Sequence, residues 1–204
     1  MQKKDTQENI LKVASGLFAS KGYSAVSMRH VAAAVGVTVA NLYYHFKDKE
    51  ELVRASLAHV FSERMSPLEG LVKQHASPDD RLEAFVSWFV REIFGEGLFT
   101  RLILREMLDG TEERLEYLAK TVFKKPFALL TNLIADCADS PDPIMTAASV
   151  ASLVLGSYQL ARVTPYLPGG RSERSTVDTV TRHVLMVLRA TFQPCKNLGN
   201  AGSE

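Results

Sequence analysis

The sequence predicts an all-α fold. Three observations carry that prediction: apolar residues recur at spacings of 3, 4 and 7, no segment alternates apolar with polar as a half-buried strand would, and the helical stretches are separated by Pro- and Gly-rich breaks. With 204 residues, 46% of them hydrophobic and 23% charged, the chain can bury the core of a small domain joined to a larger one.

The elements follow in order. Ile10, Val13, Ala14, Leu17 and Phe18 mark one face of a first helix, which Gly22 and Tyr23 stop. Ser27 is a good N-cap for a second helix, whose Met28, Val31, Ala32 and Val35 point inward. Gly36 suits the left-handed backbone of a C-cap, and the Thr38 hydroxyl can cap the helix after it. In that third helix Leu42 and Phe46 lie one turn apart and close a small core, leaving Val39, Ala40, Asn41, Tyr43 and Tyr44 facing outward. Asp48 and Glu51 then form the halves of a capping box that opens a long helix with Lys49 in its first turn.

Beyond residue 60 the chain reads as helix after helix. Leu82, Phe85, Val86, Phe89 and Ile93 form a stripe after a cap signal at Ser77, ended by Gly95 and Gly97. A second stretch covers Leu98 to Leu108. A third runs from Thr111 toward Cys137, with a kink or break expected at Pro126, whose ring removes a backbone donor. Two last helices are expected over Ile144 to Val163 and Ser172 to Phe192, separated by TPYLPGG, and a disordered tail is expected after Pro194.

Charge and composition exclude several classes. Residues 1–50 carry seven Lys or Arg against four Asp or Glu, and the remainder 17 against 19, so the small basic excess sits at the N-terminal end. The apolar runs, such as Val184 to Leu188, read as too short to span a bilayer, and no export signal is visible, so no membrane partner and a cytoplasmic location are expected. Cys137 and Cys195 are isolated, which gives no metal site, and no cofactor motif is present. A His-Glu-x-x-His, a Glu-x-x-His, a Gly-rich phosphate loop and a Gly-x-Ser-x-Gly elbow are all missing from the sequence, so an enzyme is not expected.

Two short helices joined by a Gly turn form a helix-turn-helix, and the run GYSAVSMRHVAAAVGVTVANLYYHFKDKEELV resembles the DNA-binding domain of the TetR family of bacterial transcriptional regulators. The resemblance rests on GY after the first helix, the Ser cap, the GV turn, LYYHF and the K-x-K-E-E-L entry to a linker helix, over residues 7–60. It implies a DNA-binding domain at 1–50, a helical effector-binding and dimerisation domain at 51–194 and a tail at 195–204. It also implies a repressor that a small molecule releases from a near-palindromic operator; a helical scaffold that binds a protein through its exposed tyrosines is the alternative.

Arg29 is the best candidate for reading a base, because its guanidinium can donate two bonds to guanine O6 and N7. Val39 and Ala40 match positions that read bases in the family, and can only meet thymine methyls or allow close approach. Asn41, Tyr43, His45 and Lys49 match positions that hold phosphate, Lys49 helped by the positive end of its helix. Ser27 and Thr38 can do the same, although capping explains both, and Tyr44 can stack on sugar or base or pack beneath its helix.

The last two helices are apolar on more than one face. Val177, Val180, Val184, Leu185, Val187, Leu188 and Phe192 on one, and the small residues Ala147, Ala148, Ala151, Ser152 and Gly156 on the other, suit two packing partners. By the resemblance, one partner is a second copy of the chain. The resemblance also places an effector cavity among the C-terminal helices, with Trp88, Phe89, Phe99 and Ile103 as candidate lining residues. Met107, Phe123, Phe127 and Tyr158 join them, and Arg105, Gln159 or His183 are candidate polar handles. Ordinary core packing explains each of these residues without a ligand. The aromatic weighting points to a hydrophobic or aromatic effector.

Overall fold

The computed structural model describes residues 3–65, 67–95, 97–137, 140–171 and 175–192. Among them the regular elements are all helical. The α-helices are α1 (Lys3–Lys21), α2 (Met28–Val35), α3 (Val39–His45), α4 (Lys49–Met65), α5 (Leu68–Lys73), α6 (Pro78–Phe94), α7 (Leu98–Asp109), α8 (Glu112–Leu118), α9 (Lys124–Cys137), α10 (Pro143–Ala161) and α11 (Val177–Phe192). A π-helical turn, Ala119–Phe123, joins α8 to α9, and a 3-10 turn, Thr164–Tyr166, follows α10.

Contacts divide the chain into two units, 1–69 with 95–126 and 70–94 with 127–204. In the first, α1 packs on α2, α4 and α7. Its core joins Ile10, Ala14 and Phe18 of α1 to Val31 and Ala32 of α2, Leu42 and Phe46 around α3, and Leu52 and Val53 of α4. Helices α7 and α8 add Phe99, Leu102, Ile103 and Leu118, with Phe99 stacked on Phe61 at 6.4 Å. Val13, Leu17 and Val35, expected inside, are only half buried.

In the second unit α11 packs on α6 and α10, and α10 on α6. Leu82, Phe85, Val86 and Val90 meet a core that includes Val150, Val154, Val184 and Leu188. An ion pair fixes α11 to the start of α6: Arg189 Nη2 lies 2.7 Å from Asp79 Oδ2 and 2.9 Å from Glu83 Oε2. Ala147 is fully buried, whereas Ala148, Ala151 and Gly156 are half buried and Ser152 is exposed.

Several elements differ from expectation. The helical backbone runs on through Pro126 without a break, and the irregularity expected there sits just upstream in the π turn, whose wider bonding accommodates a residue that cannot donate. The final helix is described from Val177, with Thr176 Oγ1 accepting from the Thr179 amide at 3.3 Å, and Ser172, where it is expected to start, lies outside the described residues. One helix is more apolar on average than its short apolar runs suggest. Helix α10, at 19 residues and a mean hydropathy of 1.4, is long and apolar enough by composition alone to cross a bilayer, and only 17% of that window is buried. The expected tail at 195–204, with Cys195, lies outside the described residues.

Candidate nucleic-acid interface

Each end of the α2–α3 pair is closed by the residue the sequence supplies for it. Ser27 Oγ accepts from the His30 amide at 3.2 Å, and Thr38 Oγ1 from the Asn41 amide at 3.1 Å, so two otherwise unpaired helix donors are satisfied. Between them Gly36 takes φ 79°, its amide bonding the carbonyls of Ala32 and Ala33 while the Val37 amide returns to Ala32 at 3.0 Å. That is a Schellman stop, and it turns the chain sharply into α3. The next helix opens on Asp48 Oδ1, which accepts from Glu51 N at 2.8 Å. Glu51 Oε2 reaches back to the Lys47 amide at 2.7 Å, one residue before the amide a symmetric capping box would use.

The pair is one-sided. Leu42 and Phe46 are buried to 0% and 2% exposure, while Tyr43 and Tyr44 on the same short helix are 50% and 68% exposed. Arg29, His30, Ala40 and Asn41 stand exposed beside them, and Val39 and His45 are half buried. The His45 ring meets Tyr44 edge-on at 5.4 Å, so two of the outward aromatics brace one another. The pair thus leaves an arginine, an amide, two phenols and an alanine exposed to solvent. Such a set can donate hydrogen bonds to base edges and phosphates while letting the backbone come close.

Lys49 sits differently from the other candidates. Its Nζ lies 3.9 Å from the centroid of the Tyr23 ring, and burial, then the Arg114 guanidinium, hold its pKa below the ordinary lysine value. Lys47 is not singled out by the sequence reading, yet its side chain is 81% exposed just after α3, with Asp48 Oδ2 3.8 Å from its Nζ. The KDK run was the available signal.

The candidate effector residues divide between the two units. Phe99 and Ile103 are buried in the first, Phe123 is half buried on the π turn, and Met107 is 42% exposed. Arg105, a proposed polar handle, instead lies against Gly22. In the second unit Trp88 and Phe89 are 6.4 Å apart, and both contact Phe85. Trp88 is buried, and its indole Nε1 finds no hydrogen-bond partner among the described residues. Tyr158 meets Phe94 edge-on at 5.6 Å, Phe127 is half buried, and Gln159 and His183 are exposed. None of these residues lines either of two grooves in the second unit. One, of about 840 Å³, runs between α6 and α11 past Glu83, Arg91, Arg182 and Arg189; the other, of about 280 Å³, lies between α10 and α11 beside Met145, Leu153 and Val187. Burial, with help from Asp79 and Asp136, raises the pKa of the Cys137 thiol, as suits a packed side chain.

Residues 10–56 match the sequence pattern of bacterial regulatory proteins of the tetR family. The HTH-type transcriptional regulator AcrR of Shigella flexneri is 32% identical over 123 residues, 59% of this chain but only 49% of that relative's length. The HTH-type transcriptional repressor KstR2 of Rhodococcus jostii is 26% identical over 91% of the chain and 90% of its own length. Among solved structures, the transcriptional regulator FadR from Bacillus subtilis, crystallised in complex with stearoyl-CoA, superposes with a TM-score of 0.75 at 14% identity, covering 91% of this chain and 98% of that one. At that identity the likeness speaks for the fold.

Proposed function

We propose that this chain, which belongs to the tetR family of bacterial regulatory proteins, binds double-stranded DNA in a sequence-specific way and represses transcription until a small molecule releases it. One observation carries the reading: a capped helix pair presents Arg29, Ala40, Asn41, Tyr43 and Tyr44 outward from a closed core. Arg29 would read a base; Asn41, Tyr43, His45 and the exposed Lys47 would hold phosphate and set the register. Lys49 reaches phosphate only by leaving the Tyr23 ring.

One chain offers one recognition helix, so the reading calls for a homodimer that sets two helices about 34 Å apart in successive major grooves. Helix α10, with α11, is its proposed interface. Ile144, Met145, Leu160 and Met186 are 60%, 62%, 57% and 58% exposed, an apolar surface that a solitary chain would leave in water. This burial also accounts for the length and apolarity of α10 without a membrane, and the cytoplasm is the compartment where such a protein meets DNA.

The effector is proposed to be hydrophobic or aromatic. FadR of Bacillus subtilis holds stearoyl-CoA, and Trp88 here offers a buried indole donor without a partner among the described residues. Titrating long-chain acyl and aromatic compounds against the DNA complex tests it; unchanged affinity across both classes would remove the proposal. For the DNA reading, an electrophoretic shift with genomic fragments at graded salt is the test. Steep loss of binding with salt is expected, and retention of a protein partner without DNA binding would favour a scaffold.

A further inference from the structure

Among the described residues, Glu106 and Arg114 are the only buried charged side chains, at 4% and 3% exposure. Arg114 Nε donates to Glu106 Oε2 at 2.9 Å and Nη2 donates to the Asp109 carbonyl at 3.1 Å, so the guanidinium ties the end of α7 to α8. The same group reaches two further elements. Nη1 lies 3.5 Å from Glu50 Oε2 on α4, and the guanidinium carbon is 4.2 Å from the centre of the Tyr23 ring, the ring on which Lys49 rests. Burial lowers the arginine's affinity for its proton, but Glu106 and Glu50 outweigh it and hold the pKa above the usual value. Burial and the Glu50 carboxylate push the Tyr23 phenol up as well, so it stays neutral beside the cations.

Stability alone does not account for such a cluster, because a buried ion pair is commonly no more stabilising than apolar side chains of the same volume. Its placement does. Tyr23 stands just before the Ser27 cap of α2, and Lys49 and Glu50 stand just after Phe46 closes α3. The cluster therefore grips the chain on both sides of the helix pair and nowhere within it. We propose that Arg114 is a positioning residue for DNA recognition: it holds both ends of the 27–46 segment through Tyr23 and Glu50, and so fixes the angle at which α3 is presented. Displacement of α7 against α8 is then felt at both ends of the reading helices. The proposal rests on the DNA-binding reading above.

The test uses the full chain and a duplex it selects from a random-sequence pool. The double variant Glu106→Leu with Arg114→Met removes the ion pair at constant net charge. It is expected to keep its helical circular dichroism while losing about tenfold in affinity for the selected duplex and less than about twofold for a random duplex of equal length. Tyr23→Leu, which leaves the ion pair intact, is expected to give the same selective loss, and it decides alone if the double variant does not fold. Parent-like affinity for the selected duplex in either folded variant would overturn the proposal, as would equal loss on both duplexes. If the parent selects no duplex at all, the DNA-binding reading fails instead.

Discussion

Replacing Gly36 by alanine isolates the backbone contribution of the turn between α2 and α3. Gly36 has φ 79° and ψ 31°, and a Cβ built there meets no heavy atom within 4 Å, so packing adds nothing to the effect. What remains is the left-handed conformation, which costs an alanine about 1–2 kcal/mol. Asparagine enters that region more readily, so Gly36→Asn should cost roughly half as much. Gly22 provides the contrast. Its φ is 82°, and a Cβ there would stand 2.5 Å from Arg105 Nη1, so Gly22→Ala carries the same backbone cost plus displacement of that side chain. In a chain of this size each kcal/mol moves the melting temperature by about 2–4 °C. Urea unfolding followed by circular dichroism, with thermal melts alongside, gives the order: parent, Gly36→Asn, Gly36→Ala, Gly22→Ala. An alanine at 36 as stable as the parent, or an asparagine there worse than alanine, would refute the left-handed C-cap as the source of the sharp turn.

Other substitutions test other parts of the account. Ser27→Ala and Thr38→Ala should each cost about 1 kcal/mol of stability through the lost cap bonds, read as a shift in urea midpoint at unchanged slope. Arg29→Ala should cost about 1–3 kcal/mol on the selected duplex and relax preference at one base pair, measured by competition with single-base variants; equal loss on random DNA would make it a phosphate contact. Lys49→Ala should weaken all sequences alike and reduce the salt slope by about one if its amine moves to phosphate, whereas an unchanged slope would leave that amine on the Tyr23 ring in the complex. Leu160→Arg together with Met186→Arg should convert a dimer to a folded monomer in sedimentation velocity, and a dimer that persists would place the interface elsewhere.

The N-terminal helices were legible in the sequence because their determinants are local. Ser27, Thr38 and Asp48 each bond an amide three residues on, Gly36 closes a bond pattern within six residues, and Leu42 and Phe46 are one turn apart. Short-range rules suffice for such contacts. The ion cluster was not legible, since Arg114 meets Glu50 across 64 residues and no periodicity connects them. For the same reason the contact of the Lys49 amine with the Tyr23 ring was not legible, although the residue reads as a phosphate contact by its position. Arg105 read as a polar handle, yet the missing Cβ of Gly22 leaves room for its guanidinium. In α10 the apolar runs are as short as the sequence reads, because Ser149, Ser152, Ser157 and Gly156 interrupt them, yet the average over the helix stays high. At the π turn, the proline was seen and the residues that absorb the irregularity before it were not.

The outward face of α2 and α3 is the centre of this account, and hydroxyl-radical footprinting of the full chain on its selected duplex tests it most directly. Two protected patches related by a dyad, about one helical turn apart and with two chains bound per duplex, are the expected result. Protection confined to a single patch with one chain bound, or a duplex cut evenly along its length at saturating protein, would contradict it.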